Sequence, residues 1–357
     1  MTPLIELRDV TKVYGGSITS KNANIALRDI SLKIIGDTPQ IIAVVGESGS
    51  GKTTLASMIM GFLNPTEGSV LYQGKDLKTL STKERFEFRR NVQAVFQDPF
   101  AVYNPFYKVD HVLTVPIEKF GLTKTKAETQ ALMEGALSAV GLRPEETLGR
   151  FPHQLSGGQR QRIIVARAVM LTPRLIIADE PVSMVDASLR ATILESLRSV
   201  NQKLAVPILY ITHDLATAYH VSDHILVMYR GTVAEAGDVE TVIKQPKHPY
   251  TQLLIDSIPW PDPDRRWGNE PQAPTGTVAV SETHKGCRFA GRCPYVMEIC
   301  VESPPPLFQT GPQHAASCFL HRSHPIVPSE ELSTLVTSSQ PSAVSPQQTS
   351  QKLIADS

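Results

Sequence analysis

The stretch GESGSGKTT, from Gly46 to Thr54, combines glycines, a lysine and hydroxyl residues in a pattern that could bind phosphate. It fits G-x-x-x-x-G-K-[ST], in which glycines let backbone amides approach phosphate oxygens. Lys52 would contact the β and γ phosphates of a nucleotide, and the Thr53 hydroxyl would bind Mg²⁺. The alternative is a glycine-rich turn with a solvated lysine. The candidate nucleotide-contacting residues of this loop are Gly46, Ser48, Gly49, Ser50, Gly51, Lys52, Thr53 and Thr54.

Two carboxylates, Asp179 and Glu180, follow the apolar run LIIA. Alone, such a pair would usually be a solvated turn. A phosphate loop upstream favours another interpretation, in which Asp179 lies near Mg²⁺ and Glu180 orients or deprotonates a water aimed at the γ-phosphate.

The sequence LSGGQ, from Leu155 to Gln159, precedes the helical stretch IIVARAVML. It would occur by chance on the order of once in ten thousand chains of this length. Ser156 and the amides of Gly157 and Gly158 would lie before a helix N-terminus, where anions bind favourably. The chain therefore carries two half-sites for phosphate.

The cysteines Cys287, Cys293, Cys300 and Cys318 are the only four in 357 residues, with the spacing C-x5-C-x6-C-x17-C. In a reducing cytosol such a group favours metal binding over disulfides. Zinc sites usually use tighter knuckles, whereas iron–sulfur clusters accept looser spacing. The spacing leaves three alternatives open: an iron–sulfur cluster, zinc or unmetallated thiols. No cysteine lies near the phosphate loop in sequence, so we expect ATP binding to survive their replacement.

Short apolar runs without polar alternation must position these residues: IIAVV at 41–45, LIIA at 175–178, ILYI at 208–211 and ILVM at 225–228. Such runs are typical of strands buried on both faces of a parallel sheet, so the fold class is α/β. Apolar residues recur at helical spacing between 124 and 141. We predict a mainly helical insertion over about 98–165.

Prolines become dense after about residue 246, and the periodic pattern fades. We therefore predict a first domain over 1–246 that contains the phosphate loop, a small irregular cysteine-rich domain over 247–325, and a disordered tail over 326–357 that is rich in Ser, Gln, Thr and Pro.

Composition argues against several classes of protein, although it does not exclude nucleic-acid binding. Lys plus Arg equals Asp plus Glu at 35 each, so no global field attracts nucleic acid or an anionic membrane. No apolar run approaches the roughly 20 residues of a membrane-spanning helix, and the N-terminus lacks a signal-peptide pattern. We expect a cytosolic protein with at least one sizeable core.

With these motifs in this order, residues 4 to 250 closely resemble the ATP-binding subunits of ABC transporters. The resemblance extends to Gln97 in FQDP, Asp186 in SMVD and His213 in YITHD. It implies a P-loop ABC-type ATPase core with an inserted helical subdomain, and the ligands ATP and Mg²⁺. It also implies that two such domains dimerise head to tail, with each LSGGQ segment closing over the nucleotide held by the opposite phosphate loop.

The resemblance assigns roles to individual residues. Glu180 resembles the general base, Gln97 a contact to metal and water, and His213 a γ-phosphate contact, whereas a satisfied loop histidine is the alternative for His213. Tyr14 in TKVYGG resembles the adenine-stacking aromatic, although it could be a packed strand end. The resemblance adds Gln159 and Asp186 to the nucleotide contacts, and gives Thr53, Gln97 and Asp179 as the Mg²⁺ ligands.

The segment KHPYTQLL and the four cysteines resemble the C-terminal extension of oligopeptide and dipeptide ABC importer ATPases. Some members of that group hold a [4Fe–4S] cluster there, which favours a cluster over zinc. The resemblance implies a second ATPase subunit, two membrane permease subunits and an extracytoplasmic substrate-binding protein as partners, at the cytoplasmic face of the cell membrane. The substrate could be peptide, nickel or oligosaccharide.

A soluble ABC-type ATPase acting on nucleic acid or ribosomes is the alternative function. Such proteins usually have two ATPase cores, a long coiled coil or a strongly basic arm, and this chain has none of these features. A small-molecule kinase does not account for LSGGQ. We therefore expect no nucleic-acid partner.

Overall fold

The computed structural model describes residues 2–16, 24–36, 38–98, 102–258, 285–328 and 331–336. The strands are β1 Ile5–Tyr14, β2 Asn24–Ile34, β3 Ile41–Val45, β4 Glu67–Tyr72, β5 Lys75–Asp76, β6 Val92–Val95, β7 Leu175–Asp179, β8 Ile208–Thr212, β9 His224–Tyr229, β10 Thr232–Asp238, β11 Phe308–Gly311 and β12 His314–Ala316. The α-helices are α1 Lys52–Ile59, α2 Thr82–Asn91, α3 Asp110–Phe120, α4 Lys126–Ala139, α5 Pro144–Thr147, α6 Gly157–Val169, α7 Ala187–Leu204, α8 Leu215–Val221, α9 Val239–Lys244, α10 Pro249–Asp256, α11 Glu298–Glu302 and α12 Leu332–Leu335.

The four apolar runs form strands of one eight-stranded sheet, which confirms the α/β prediction. The strand order is β11-β12-β10-β9-β3-β8-β7-β6, and the neighbours from β9 to β6 run parallel. Ile41, Ala43 and Val45 belong to one hydrophobic core, whereas Ile42 and Val44 belong to the other. Strand β3 is apolar at every position because both of its faces are buried.

The candidate functional residues lie at one edge of this sheet, at the C-terminal ends of its parallel strands. Gly46 follows β3, Glu180 follows β7 and His213 follows β8, while Gln97 lies two residues beyond the end of β6. Parallel order therefore brings together side chains that are far apart in sequence.

A second sheet is antiparallel, with the order β2-β1-β4-β5. Its apolar residues share a core with helix α1 and with one face of the eight-stranded sheet. This packing fixes the start of α1 against the central sheet, and it places Tyr14 at the end of β1 near the same edge.

Helices α3 to α6 occupy the chain between β6 and β7. The helix predicted between 124 and 141 is confirmed as α4, which Thr125 and Glu128 begin with a reciprocal capping box. Its residues Met133, Ala136 and Leu137 are buried. Helix α6 continues to Val169, so the predicted boundary of the insertion near residue 165 falls inside this helix. The exact bounds of the insertion stay a prediction.

The chain after residue 246 is tied to the central sheet. Strand β12 pairs with β10, with Glu235 opposite Ala316, and β11 pairs with β12. We predicted a separate irregular domain here. The structure instead shows a region that extends the existing sheet at its β10 edge, and the predicted boundary at 247 stays a prediction. Residues 259–284 lie outside the described residues.

The predicted disorder of the tail is wrong for residues 331–336. This segment contains helix α12, and Leu332, Leu335 and Val336 are buried in the core shared with the antiparallel sheet. The three apolar side chains supply enough buried surface to order a short segment in an otherwise polar sequence. It is also wrong for residues 326–328, where Val327 is buried and its amide donates a hydrogen bond to the Leu307 carbonyl oxygen. Residues 329–330 and 337–357 of the predicted tail lie outside the described residues.

Within the described part of the chain, none of the helices combines the length and the apolar character needed to cross a membrane.

Candidate active site

The phosphate loop has a backbone that requires glycine at two positions. Gly46 has φ of 154°, and a Cβ there would lie 2.2 Å from the Met228 carbonyl oxygen. Gly51 has φ of 104°, and a Cβ there would lie 2.5 Å from the Ala26 carbonyl oxygen. The loop therefore packs backbone against backbone and curves directly into helix α1, whose N-terminus favours an anion.

Lys52 begins α1 and points back into the loop. Its Nζ donates hydrogen bonds to the carbonyl oxygens of Gly46, at 2.8 Å, and Glu47, at 3.0 Å. Burial lowers the pKa of Lys52, while the carboxylates of Glu180 and Asp179 act in the opposite direction. The ammonium thus lies between the loop and the two carboxylates, where it could contact a terminal phosphate.

One open cleft, of about 1140 Å³, collects most of the predicted site, and its volume suits a nucleoside triphosphate. The predicted residues that line it are Tyr14, Gly46, Ser48, Gly49, Gly51, Lys52, Thr53, Thr54, Gln97, Glu180 and His213. Ser50 is buried instead, with 2% of its surface exposed. Tyr14 is 42% exposed, which leaves its ring available for stacking on a base.

The carboxylates at the end of β7 differ in their environments. Burial raises the pKa of Asp179, and the neighbouring Glu180 raises it further, whereas Lys52 lowers it. Glu180 has a φ of 46°, a strained conformation for a residue other than glycine, and its Oε1 lies 3.0 Å from His213 Nδ1. The contact with His213 holds the Glu180 carboxylate in the cleft, and the surrounding structure must offset the strain at this position.

A magnesium ion in this cleft would have few protein ligands. Thr53 and Gln97 line the cleft, and Asp179 interacts electrostatically with Lys52. No group of three or more His, Cys, Asp or Glu side chains within the described residues could hold a metal ion. One carboxylate with a hydroxyl and an amide fits the usual mode of Mg²⁺, which is bound largely by water and substrate phosphates.

The LSGGQ segment lies outside this cleft. Ser156 caps α6 by accepting a hydrogen bond from the Gln159 amide at 3.2 Å, and Gln159 Oε1 accepts one from the Ser156 amide at 2.9 Å. A Cβ on Gly157 would meet nothing within 4 Å, so the helix N-terminus is open. The residues that line the cleft include neither the LSGGQ residues Ser156, Gly157, Gly158 and Gln159 nor Asp186.

Several residues of the cleft have no signal in sequence, namely Asn24, Ile25, Ala26, Glu47, Arg230, Leu254 and Arg288. Glu47 is a variable position of the phosphate-loop pattern. The others come from β2, the turn after β9, α10 and the cysteine-rich region, so only the tertiary structure brings them to the cleft. Nη2 of Arg288 is buried and lacks a hydrogen-bond partner among the described residues.

The four cysteines line one small cavity together with Phe289 and Phe319. Burial raises the pKa of Cys287 to about 11 and that of Cys318 to about 12, and it also raises the pKa of Cys293. Four thiols are suitable donors for zinc or an iron–sulfur cluster. Their side chains as placed do not form a ligand set, because no described cluster of three or more such residues could hold a metal.

The expectation that ATP binding survives replacement of the cysteines stays a prediction, and no cysteine lines the cleft. Distance in sequence, however, does not separate the rest of the cysteine region from the phosphate loop. Arg288 of this region lines the cleft, and Arg292 forms an ion pair with Glu47 of the loop. The cysteine region is therefore a neighbour of the nucleotide site.

Comparison with protein families gives two matches along the chain. The family model described as ABC transporter matches residues 27–183. The model described as the C-terminal region of oligopeptide/dipeptide transporters matches residues 234–300. The two matches cover the phosphate loop, Gln97 and Glu180 of the cleft, and three of the four cysteines.

Similar proteins carry related names. A putative peptide import ATP-binding protein of Brucella ovis is 38% identical over 319 residues, which cover 89% of this chain and 98% of that protein. The putative oligopeptide transport ATP-binding protein YkfD of Bacillus subtilis is 41% identical over 284 residues, covering 79% and 86%. The oligopeptide transport ATP-binding protein OppF of Haemophilus influenzae is 37% identical, covering 82% and 88%.

Among solved structures, the dimeric post-hydrolysis state of the ATP-binding cassette MJ0796, bound to ADP and Pi, is similar with a TM-score of 0.57 and 28% identity. The similarity covers 66% of this chain and 98% of that one. The described architecture is thus that of an ATP-binding cassette.

Proposed function

Because this chain belongs to the ABC transporter family as an ATP-hydrolysing subunit, we propose that it drives the import of oligopeptides or dipeptides. The observation that carries the proposal is the cleft in which Lys52, Glu180 and His213 converge, on a chain that also matches the oligopeptide transporter C-terminal region. The relatives described as peptide or oligopeptide ATP-binding proteins support peptide as the substrate.

In the proposed mechanism the phosphate loop binds the triphosphate of ATP, with Lys52 on the terminal phosphates and Tyr14 against the adenine. Thr53, Gln97 and Asp179 would hold Mg²⁺, which would supply positive charge to offset that of the phosphates. Glu180 accepts a proton from the attacking water, and His213, 3.0 Å away, holds the carboxylate and contacts the γ-phosphate. Each of these side chains lies in the cleft or borders it.

The proposed working unit is a dimer of ATPase subunits, either two copies of this chain or this chain with a related one. Ser156 and the open N-terminus of α6 lie outside the cleft of their own chain, so a second subunit is needed to bring such a segment to the nucleotide. Gln159 and Asp186 would join Ser156, Gly157 and Gly158 at that interface. Two nucleotides are then enclosed between the subunits.

We assign the attachment to membrane permease subunits to an apolar groove between α2, β6 and α3. Phe62, Phe88, Phe96 and Phe120 line it, and Phe62 is 70% exposed. Large exposed apolar side chains that flank a groove mark protein interaction sites. The proposed occupant is a short helix of one permease subunit at the cytoplasmic face of the membrane, so that the two ATPase subunits bind two permease subunits. An extracytoplasmic binding protein supplies the peptide.

Phe62→Asp should abolish ATP-driven peptide uptake in proteoliposomes that contain the permease subunits, while ATP binding persists. A charge in the groove would break the attachment without altering the cleft. Phe106→Asp is the matched control, since Phe106 is 86% exposed and lies outside the groove. Uptake and co-elution of the subunits in detergent are the measurements.

The same uptake assay tests the substrate. If the wild-type complex takes up nickel or oligosaccharide and no peptide, the proposed substrate is contradicted.

We also propose that the four thiols, which do not form a ligand set as placed, reorient to hold a metal centre, with a [4Fe–4S] cluster favoured over zinc. The shared cavity supports this, as do backbone amides of Phe289 and Tyr295 that hydrogen-bond to Cys287 and Cys293.

Protein purified without oxygen should be brown and contain about four iron atoms per chain, whereas zinc would give colourless protein with about one metal ion. Cys293→Ser should release the metal and increase proteolysis after about residue 280. Neither iron nor zinc in the wild type would disprove the proposal.

A further inference from the structure

The cysteine-rich region contacts the phosphate loop through one side chain in particular. Arg292 Nη1 lies 2.9 Å from Glu47 Oε2, and Arg292 Nη2 lies 3.0 Å from Glu47 Oε1, so the pair is bidentate. Glu47 is the residue directly after Gly46 in the loop, and Arg292 directly precedes Cys293. A bidentate pair fixes the orientation of both side chains as well as their distance.

Arg292 is itself held by aromatic residues. Its guanidinium carbon lies 5.8 Å from the Tyr229 ring centroid and 5.6 Å from that of Phe289, and its Nη1 lies 3.4 Å from the Tyr229 hydroxyl. The rings of Tyr229, Tyr250 and Phe289 contact one another, with centroid distances between 4.4 and 5.6 Å. Arg292 is therefore fixed on a packed aromatic cluster.

The same cluster also holds the backbone of Glu47. The amide of Glu47 donates a hydrogen bond of 2.9 Å to the hydroxyl of Tyr250, a side chain that is fully buried. The carbonyl of Glu47 accepts a hydrogen bond from Lys52, as described above. Residues outside the loop thus hold both the backbone and the carboxylate of Glu47.

This arrangement matters for a site that binds a polyanion. The Glu47 carboxylate borders the cleft, where an unpaired negative charge would repel the phosphates of ATP. Arg292 cancels that charge and turns the carboxylate toward the cysteine-rich region. The pair also maintains the loop conformation in which Lys52 and the backbone amides after Glu47 can contact a phosphate.

We propose that Arg292 is a positioning residue of the nucleotide site, through which the cysteine-rich region sets the affinity of the phosphate loop for ATP. It acts through Glu47 and does not touch the reacting atoms. The inference rests on the proposed binding of ATP at this loop.

The test is a double-mutant cycle with ATP as the probe. Arg292→Ala should raise the Kd for ATP about threefold to tenfold, a limited range because the pair is partly exposed although bidentate. KM for ATP should rise by a similar factor while kcat stays near the wild-type value, because Glu180 and His213 are untouched. In the Glu47→Gln background, Arg292→Ala should change Kd less than about twofold, because its partner's charge is already gone.

Three comparisons make the outcome decisive. Arg322→Ala is the matched control, because Arg322 is an exposed arginine of the same region outside the cleft, and it should leave Kd unchanged. Arg292→Lys keeps the charge and loses the bidentate geometry, so its Kd should lie between the values for Ala and wild type. Equal effects of Arg292→Ala in the wild-type and Glu47→Gln backgrounds would overturn the proposal in favour of a long-range charge effect, and no effect at all would also overturn it.

The same ATP-binding measurements also test the proposed function separately from the role of Arg292. If the wild type fails to bind ATP, or if Lys52→Ala binds it as well as the wild type, the assignment of the nucleotide site fails. If the wild type binds ATP and Lys52→Ala does not, only the behaviour of the Arg292 and Glu47 variants decides the role of Arg292.

Discussion

Glu180→Gln should keep ATP binding and lower steady-state hydrolysis by at least about 100-fold. The amide has nearly the shape of the carboxylate but cannot accept a proton from the attacking water. The phosphate loop and Lys52 are unchanged, so the triphosphate still binds. ATP then remains enclosed between two subunits, and a stable ATP-bound dimer should accumulate in size-exclusion chromatography.

The structure provides a stringent control for this variant. Glu195 lies exposed on helix α7, the helix that follows the Glu180 loop, and it is absent from the cleft. Glu195→Gln makes the same chemical change and should leave hydrolysis within about twofold of the wild type. Wild-type turnover in Glu180→Gln would remove Glu180 from the role of general base. Loss of ATP binding in that variant would instead mean that the carboxylate helps to hold the nucleotide.

The local features of the fold could be predicted because short segments encode them. Strand β3 is apolar at all five positions, since both faces are buried, and the loop after it carries its glycines and Lys52 at the spacing of the phosphate-loop pattern. Helix α4 begins at a capping box that is visible in sequence. Each of these features depends on residues within about ten positions of one another, so sequence reasoning could find them.

The parts that sequence reasoning missed depend on contacts between distant segments. Arg292 and Glu47 are 245 positions apart, and no local pattern links an arginine beside Cys293 to the phosphate loop. Arg230 and Arg288 reach the cleft only because β9 lies beside β3 and the cysteine region packs on the β9–β10 side. The order of residues 331–336 likewise depends on a core to which the rest of the chain contributes.

Gly157→Asp should lower hydrolysis at least about 100-fold while each chain still binds ATP. Gly157 begins helix α6 outside the cleft of its own chain, where an added Cβ meets nothing within 4 Å. An aspartate in the first turn of a helix is favourable for folding. In the dimer, however, the carboxylate would face the γ-phosphate held by the partner and repel it. ATP binding by the single chain and hydrolysis by the dimer are the two measurements.

Gly135→Asp is the control for the substitution itself, because Gly135 is a helical glycine of α4 that also has open space around it. It should hydrolyse ATP within about twofold of the wild type.

A mixing experiment then tests the head-to-tail arrangement. In a homodimer, a Gly157→Asp chain paired with a Lys52→Ala chain has one site in which an intact phosphate loop meets an intact LSGGQ segment. Two inactive variants mixed in equal amounts should therefore regain about a quarter of wild-type hydrolysis, since half of the dimers are mixed and each has one working site. No recovery on mixing, or wild-type hydrolysis by Gly157→Asp alone, would rule out a site shared between two copies of this chain.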